Sequence, residues 1–125
     1  MRLGKRESDR AVEAFLRYAR YGFDRRALSG FDMMDCIRGS TANREEAREM
    51  LAVYDTLRLL SYMGKREELK AVQEVYFPRR GRRLRRNDIS LRIRRFAAEN
   101  FFDDRTVYRR LAQVKRLFLL IVTAP

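Results

Sequence analysis

The chain has 125 residues and a formal net charge of +12, with 29 Lys/Arg against 17 Asp/Glu, no histidine and one cysteine. That length supplies one domain's worth of core. The missing imidazole removes the commonest general base and metal ligand, and a lone thiol can form no internal disulfide. With no Walker-type glycine loop, Ser-nucleophile elbow or metal-spaced Cys/His cluster either, the sequence points away from an enzyme and from any cofactor or metal.

The charge is unevenly placed. Residues 1–77 carry 15 Lys/Arg against 13 Asp/Glu, whereas residues 78–125 carry 14 against 4. A field of that sign concentrated in the C-terminal part favours polyanions, nucleic acid first and an anionic membrane surface second. "MRLGKRESDRAVEAF" reaches no apolar core of the signal-peptide kind. The longest apolar run, "LFLLIV" at 117–122, is far short of the ~20 residues a membrane span needs. The expectation is a soluble, cytoplasmic protein with no membrane partner.

In chain order, "SDRAVEAFLRYARYGF" places Val12, Phe15, Leu16 and Ala19 at helical spacing, with Ser8 or Asp9 as the expected N-cap and Gly22 as the stop. From Phe23 to Gly39 the pattern weakens: Leu28, Phe31, Met34 and Ile37 recur at threefold spacing across a Ser29-Gly30 break, which predicts one short helix or two turns. Cys36 reads as a small half-buried thiol. A helix over about 44–63 follows, where Asn43 and Glu46 have the shape of a capping box. Ala47, Met50, Leu51, Tyr54, Leu57 and Leu60 form its stripe, and Gly64 ends it. "KREELKAVQEVYF" continues with Leu69, Val72, Val75 and Tyr76 on one face until Pro78 forbids further helix.

"PRRGRRLRRND" then reads as a basic loop over 78–88. Its arginines, Arg79, Arg80, Arg82, Arg83, Arg85 and Arg86, are candidate phosphate contacts, since a loop so charged repels itself without an anion. Ile89, Ile93, Phe96 and Ala97 mark a helix over about 89–99. After a break at Asn100–Asp103, the last helix runs over about 104–121 with Val107, Leu111, Val114, Phe118 and Ile121 as its apolar face.

Asp103 and Asp104 suit the N-terminus of that helix, because a carboxylate accepts the orphan N–H groups and complements the positive end of the dipole. Arg105, Thr106, Tyr108 and Arg109, with Gln113 further along, then lie off the apolar stripe as candidate base-reading residues for a major groove. Arg110 and Lys115 are the neighbouring phosphate candidates. Phe96, Phe101, Phe102 and Tyr108 interleave with arginines, a pattern that also occurs in single-strand binders, although aromatics at helical spacing more often form core.

"FDDRTVYRRL" resembles the reading-helix signature of helix-turn-helix regulators, and with "RIRRFAAEN" upstream it is similar to the C-terminal module of sigma-factor-like proteins. Together with "ELKAVQEVYF" and the arginine loop, the arrangement over roughly 67–120 looks like phage and mobile-element transcriptional regulators of the ArpU/RinA type. Where that pattern commonly has a glycine in the turn, this chain offers Asn100 and Phe101; asparagine is the residue that better tolerates left-handed geometry.

The reading is an all-α protein of five or six helices. Residues 1–64 form a bracing or oligomerisation region and 65–125 a tri-helical helix-turn-helix unit that binds double-stranded DNA to regulate transcription. The alternatives are an RNA or single-strand binder, and a protein that contacts RNA polymerase without an operator of its own. A homodimer, with "LFLLIV" as its seam, is open beside either.

Overall fold

The computed structural model describes residues 3–77 and 88–125, which form six α-helices and one 3-10 turn, with no strand among them. The helices are α1 (Lys5–Arg20), α2 (Gly30–Ser40), α3 (Arg44–Tyr62), α4 (Arg66–Tyr76), α5 (Asp88–Glu99) and α6 (Asp104–Val122), and the 3-10 turn Phe23–Arg25 follows α1. The all-α expectation therefore holds. The basic loop, with Arg79, Arg80, Arg82, Arg83, Arg85 and Arg86, lies outside the described residues.

The first helix begins a turn earlier than its capping residues suggest. Gly4 is its N-cap, and the Ser8 N–H donates to the Gly4 carbonyl at 3.0 Å. Ser8 and Asp9 thus sit inside α1, where they meet α6: the Ser8 hydroxyl accepts from Lys115 Nζ at 2.9 Å, and Asp9 lies near the same ammonium. Gly22 is the stop, at φ 76°. The buried face is broader than the predicted stripe, taking in Ala11, Ala14 and Tyr18 as well as Val12, Phe15, Leu16 and Ala19.

The irregular segment resolves into the 3-10 turn and α2, which buries Met33 and Ile37 and leaves Phe31 81% exposed. The threefold stripe fails for a geometric reason. Leu28 lies before α2, and at about 100° per residue Phe31 stands about 120° from Ile37, so the spacing of three does not keep to one face. Cys36 is half-buried, as expected.

In α3 the Asn43 side chain accepts the Glu46 N–H at 2.9 Å, but the Glu46 carboxylate reaches back to the Ala42 N–H at 3.1 Å rather than to Asn43. The capping box is displaced by one residue. Glu46 also accepts the Tyr21 hydroxyl and lies 3.9 Å from Arg17, joining the end of α1 to the start of α3. Because α3 packs on α1, α2, α4 and α6, it buries Ala52, Val53 and Thr56 beyond the predicted stripe. The Thr56 hydroxyl is satisfied by donating to the Ala52 carbonyl at 2.7 Å.

The hydrogen bond from Tyr21, then that from the Ala42 amide, hold the Glu46 carboxyl below its ordinary range. A depressed folded-state pKa contributes stability that is fully present above the unfolded value of ~4.3 and is lost as pH falls through the folded one. Glu46→Gln should accordingly melt below the wild type at pH 7, with the gap narrowing as pH falls below ~4.3 and the carboxylate becomes a protonated acid nearly isosteric with the amide. Calorimetric scans across that range check it; a gap independent of pH would mean that the negative charge contributes nothing.

The core is continuous from Ala11 to Val122. Phe15 on α1 lies 5.7 Å from the ring of Tyr76 on α4, 6.5 Å from Phe77 and 5.7 Å from Phe118 on α6. The last helix is the common neighbour of α1, α3, α4 and α5, so its orientation is fixed from several sides.

Candidate nucleic-acid interface

Helices α4, α5 and α6 pack pairwise. Ile93, Phe96 and Ala97 of α5 and Val107, Leu111 and Val114 of α6 supply the buried faces, and Arg92 ties α5 back to α4 by donating to the Glu74 carbonyl at 3.1 Å.

The turn between α5 and α6 is built from backbone hydrogen bonds. The Phe102 N–H donates to Ala97 O at 2.8 Å and the Phe101 N–H to Ala98 O at 3.4 Å, the two bonds that close a Schellman motif with Phe101 at C′. The left-handed residue is therefore Phe101, at φ 58°, and not Asn100. Asn100 instead terminates α5 through its side chain: Nδ2 donates to Phe96 O at 2.9 Å while Oδ1 accepts from Lys70 Nζ of α4 at 3.1 Å.

Asp103 is the N-cap of α6, its carboxylate accepting the Arg105 N–H at 2.7 Å. Asp104 is the first helical residue and lies in the first turn, where its charge favours the dipole without capping. Val107 and Leu111 are buried, while Arg105 and Arg109 are exposed; Tyr108 is half-exposed and Thr106 partly buried. The Tyr108 phenol lies close enough to Tyr76 to add to the burial that raises the Tyr76 pKa.

Arg116, passed over in the sequence, belongs with these residues. At about 100° per residue, Arg105, Arg109 and Arg116 fall within about 40° of one another, all three are exposed, and no ion pair among the described residues engages them. The signal was in the spacing of four and seven residues, opposite the Val107–Leu111–Val114 stripe. Arg94 and Arg95 add two exposed cations on α5.

The two candidate phosphate contacts on α6 are placed differently. Arg110 lies 3.3 Å from the Glu67 carboxylate of α4, with its guanidinium 4.3 Å from the centre of the Phe102 ring and its side chain only 22% exposed. Lys115 donates to Ser8; burial lowers its pKa, and Asp9 opposes that shift. Both cations are committed to contacts inside the fold. The aromatic series divides likewise: Phe96 is buried, and Phe102 packs 6.4 Å from it under Arg110, leaving Phe101 and Tyr108 as the two that reach solvent.

No helix of the described residues is long and apolar enough to cross a membrane. No protein-family model, curated protein or solved structure matches the chain.

Proposed function

We propose that the protein binds double-stranded DNA through the outward face of α6 and acts as a transcription regulator. The observation that carries this is the stripe of Arg105, Arg109 and Arg116, exposed and without ion-pair partners among the described residues, on a helix whose opposite face is locked into the core. A side chain held at the start of such a helix can enter a major groove, where arginine bonds guanine bidentately and threonine touches a base edge or a thymine methyl. Arg105, Thr106, Tyr108 and Arg109 are the base-reading set. Arg116, two turns on, is suited to a phosphate. The likeness of "FDDRTVYRRL" to helix-turn-helix reading helices points the same way.

Duplex DNA, single-stranded DNA and RNA of one sequence, titrated at two salt concentrations by fluorescence anisotropy, test the proposal. Duplex should be preferred. Arg109→Ala should cost about 1–3 kcal/mol on a specific duplex and relax selectivity at one base position. Arg116→Ala should weaken all sequences alike and lower the slope of log K against log salt by about 0.9. Preference for single strands or RNA, or indifference of affinity to all three arginines, would sink it.

A further inference from the structure

Among the described residues, three helices end on a residue with positive φ. Two of those residues are Gly22 and Gly64, at 76° and 71°; the third is Phe101, at 58°. The end of α3 is the direct comparison, since the Lys65 N–H donates to Leu60 O and the Gly64 N–H to Ser61 O, the same pair of bonds that Phe102 and Phe101 make at the end of α5. A residue bearing a Cβ is disfavoured in this conformation, and a bulky one is a conspicuous outlier.

Nothing within the described fold compensates for that choice. The Phe101 side chain is 96% exposed, whereas its neighbour Phe102 turns inward onto Phe96 and Arg110. The chain thus spends conformational energy to hold an apolar ring in water. Strain of this kind persists where function requires it. Phe101 also stands two residues before Asp103, the cap of α6, so the two Cα atoms lie within about 7.6 Å of each other. That is on the order of two base-pair steps along a duplex, a distance that a phenylalanine ring and an arginine on α6 can span together.

Resting on the reading of α6 as the element that enters duplex DNA, we infer that Phe101 is a specificity-determining residue that packs its ring on a thymine methyl beside the bases reached by Arg105 and Arg109. Phenylalanine offers no hydrogen bond, and among the features of the major groove the thymine methyl is the one an apolar ring can recognise. The left-handed turn directs the ring outward. Glycine there would form the same turn with less strain and have nothing to read with.

The probe is a duplex selected from a randomised pool by the full-length wild-type chain, compared with the same duplex carrying deoxyuridine in place of every thymidine, which deletes only the methyl groups. Wild type should lose about fourfold in affinity for each contacted methyl, the equivalent of one buried CH₂. Phe101→Gly should bind the thymine duplex more weakly than wild type, show a smaller thymine-over-uracil ratio, and melt about 3–5 °C higher because the turn is relaxed. The higher melting point rules out misfolding as the cause of weaker binding. A wild-type ratio of one, or an undiminished ratio in Phe101→Gly, overturns the role of Phe101 and leaves the α6 reading intact. Failure of the wild type to select any duplex overturns the α6 reading, and this inference with it.

Discussion

Phe15→Ala is expected to remove about 3–5 kcal/mol of stability, and to do so within one cooperative transition. Phe15 is fully buried on α1, and its ring meets Tyr76 of α4, Phe77 and Phe118 of α6. Truncation removes apolar burial, leaves a cavity and deletes three aromatic contacts together, the last worth about 0.5–1.5 kcal/mol per pair beyond area. Against a typical total of about 5–15 kcal/mol, that is a large share. The position also tests whether residues 1–64 are an independent unit, because Phe15 contributes to the core under the C-terminal helices. Urea unfolding followed by circular dichroism and by tyrosine fluorescence should give coincident transitions in wild type and variant, the variant midpoint far lower. Two separated transitions, or a loss under about 1 kcal/mol, would mean that the aromatic cluster does not join the regions.

How far the fold was legible depends on how closely each helix keeps its buried residues to one stripe. On α6 the phase was read correctly although four helices pack against it: of its five predicted residues four are buried and Ile121 partly so. The positive-φ stops at Gly22 and Gly64 were equally plain, since few residues other than glycine suit such positions. On α3 the period was legible but the full face was not, because its buried set also takes in Ala52, Val53 and Thr56, outside the predicted stripe. The start of α1 was misplaced because Ser8 and Asp9 look like caps locally, whereas their partner Lys115 is 107 residues away from Ser8 in sequence.

The site shows the same division. Asp103 as cap and the outward turn of Arg105 and Arg109 follow from positions within one helix. Whether a cation is available to a ligand depends on what other helices bring to it, and nothing near Arg110 in sequence announces Glu67, nor anything near Lys115 the hydroxyl of Ser8. The sequence left the turn register open between Asn100 and Phe101: asparagine is the better left-handed residue by propensity, yet in the structure its side-chain amide is occupied with Phe96 and Lys70, and Phe101 takes the left-handed position.

Val107→Asp should abolish the fold, and its contrast with Arg109→Ala separates the two faces of α6. Val107 is 0% exposed, one helical turn from buried Leu111 and in the same core as Phe118. An aspartate there would bury a carboxylate among apolar side chains, an isolated charge whose desolvation exceeds any loss of packing. The expected cost is several kcal/mol, on the order of the whole stability of a small domain. Val107→Ala serves as the control, losing about 1.5–3 kcal/mol of burial while still melting cooperatively. Arg109→Ala, two residues away on the exposed side, should leave the melting temperature within about 1 °C of wild type, as surface substitutions usually do, and on the proposed reading of α6 should change only DNA affinity. Thermal melts of the three variants, each read by circular dichroism at 222 nm, decide the matter. A Val107→Asp chain that melts like wild type would mean that this face of α6 is not buried, and the stripe of Arg105, Arg109 and Arg116 would lose the rigid backing that its use as a reader requires.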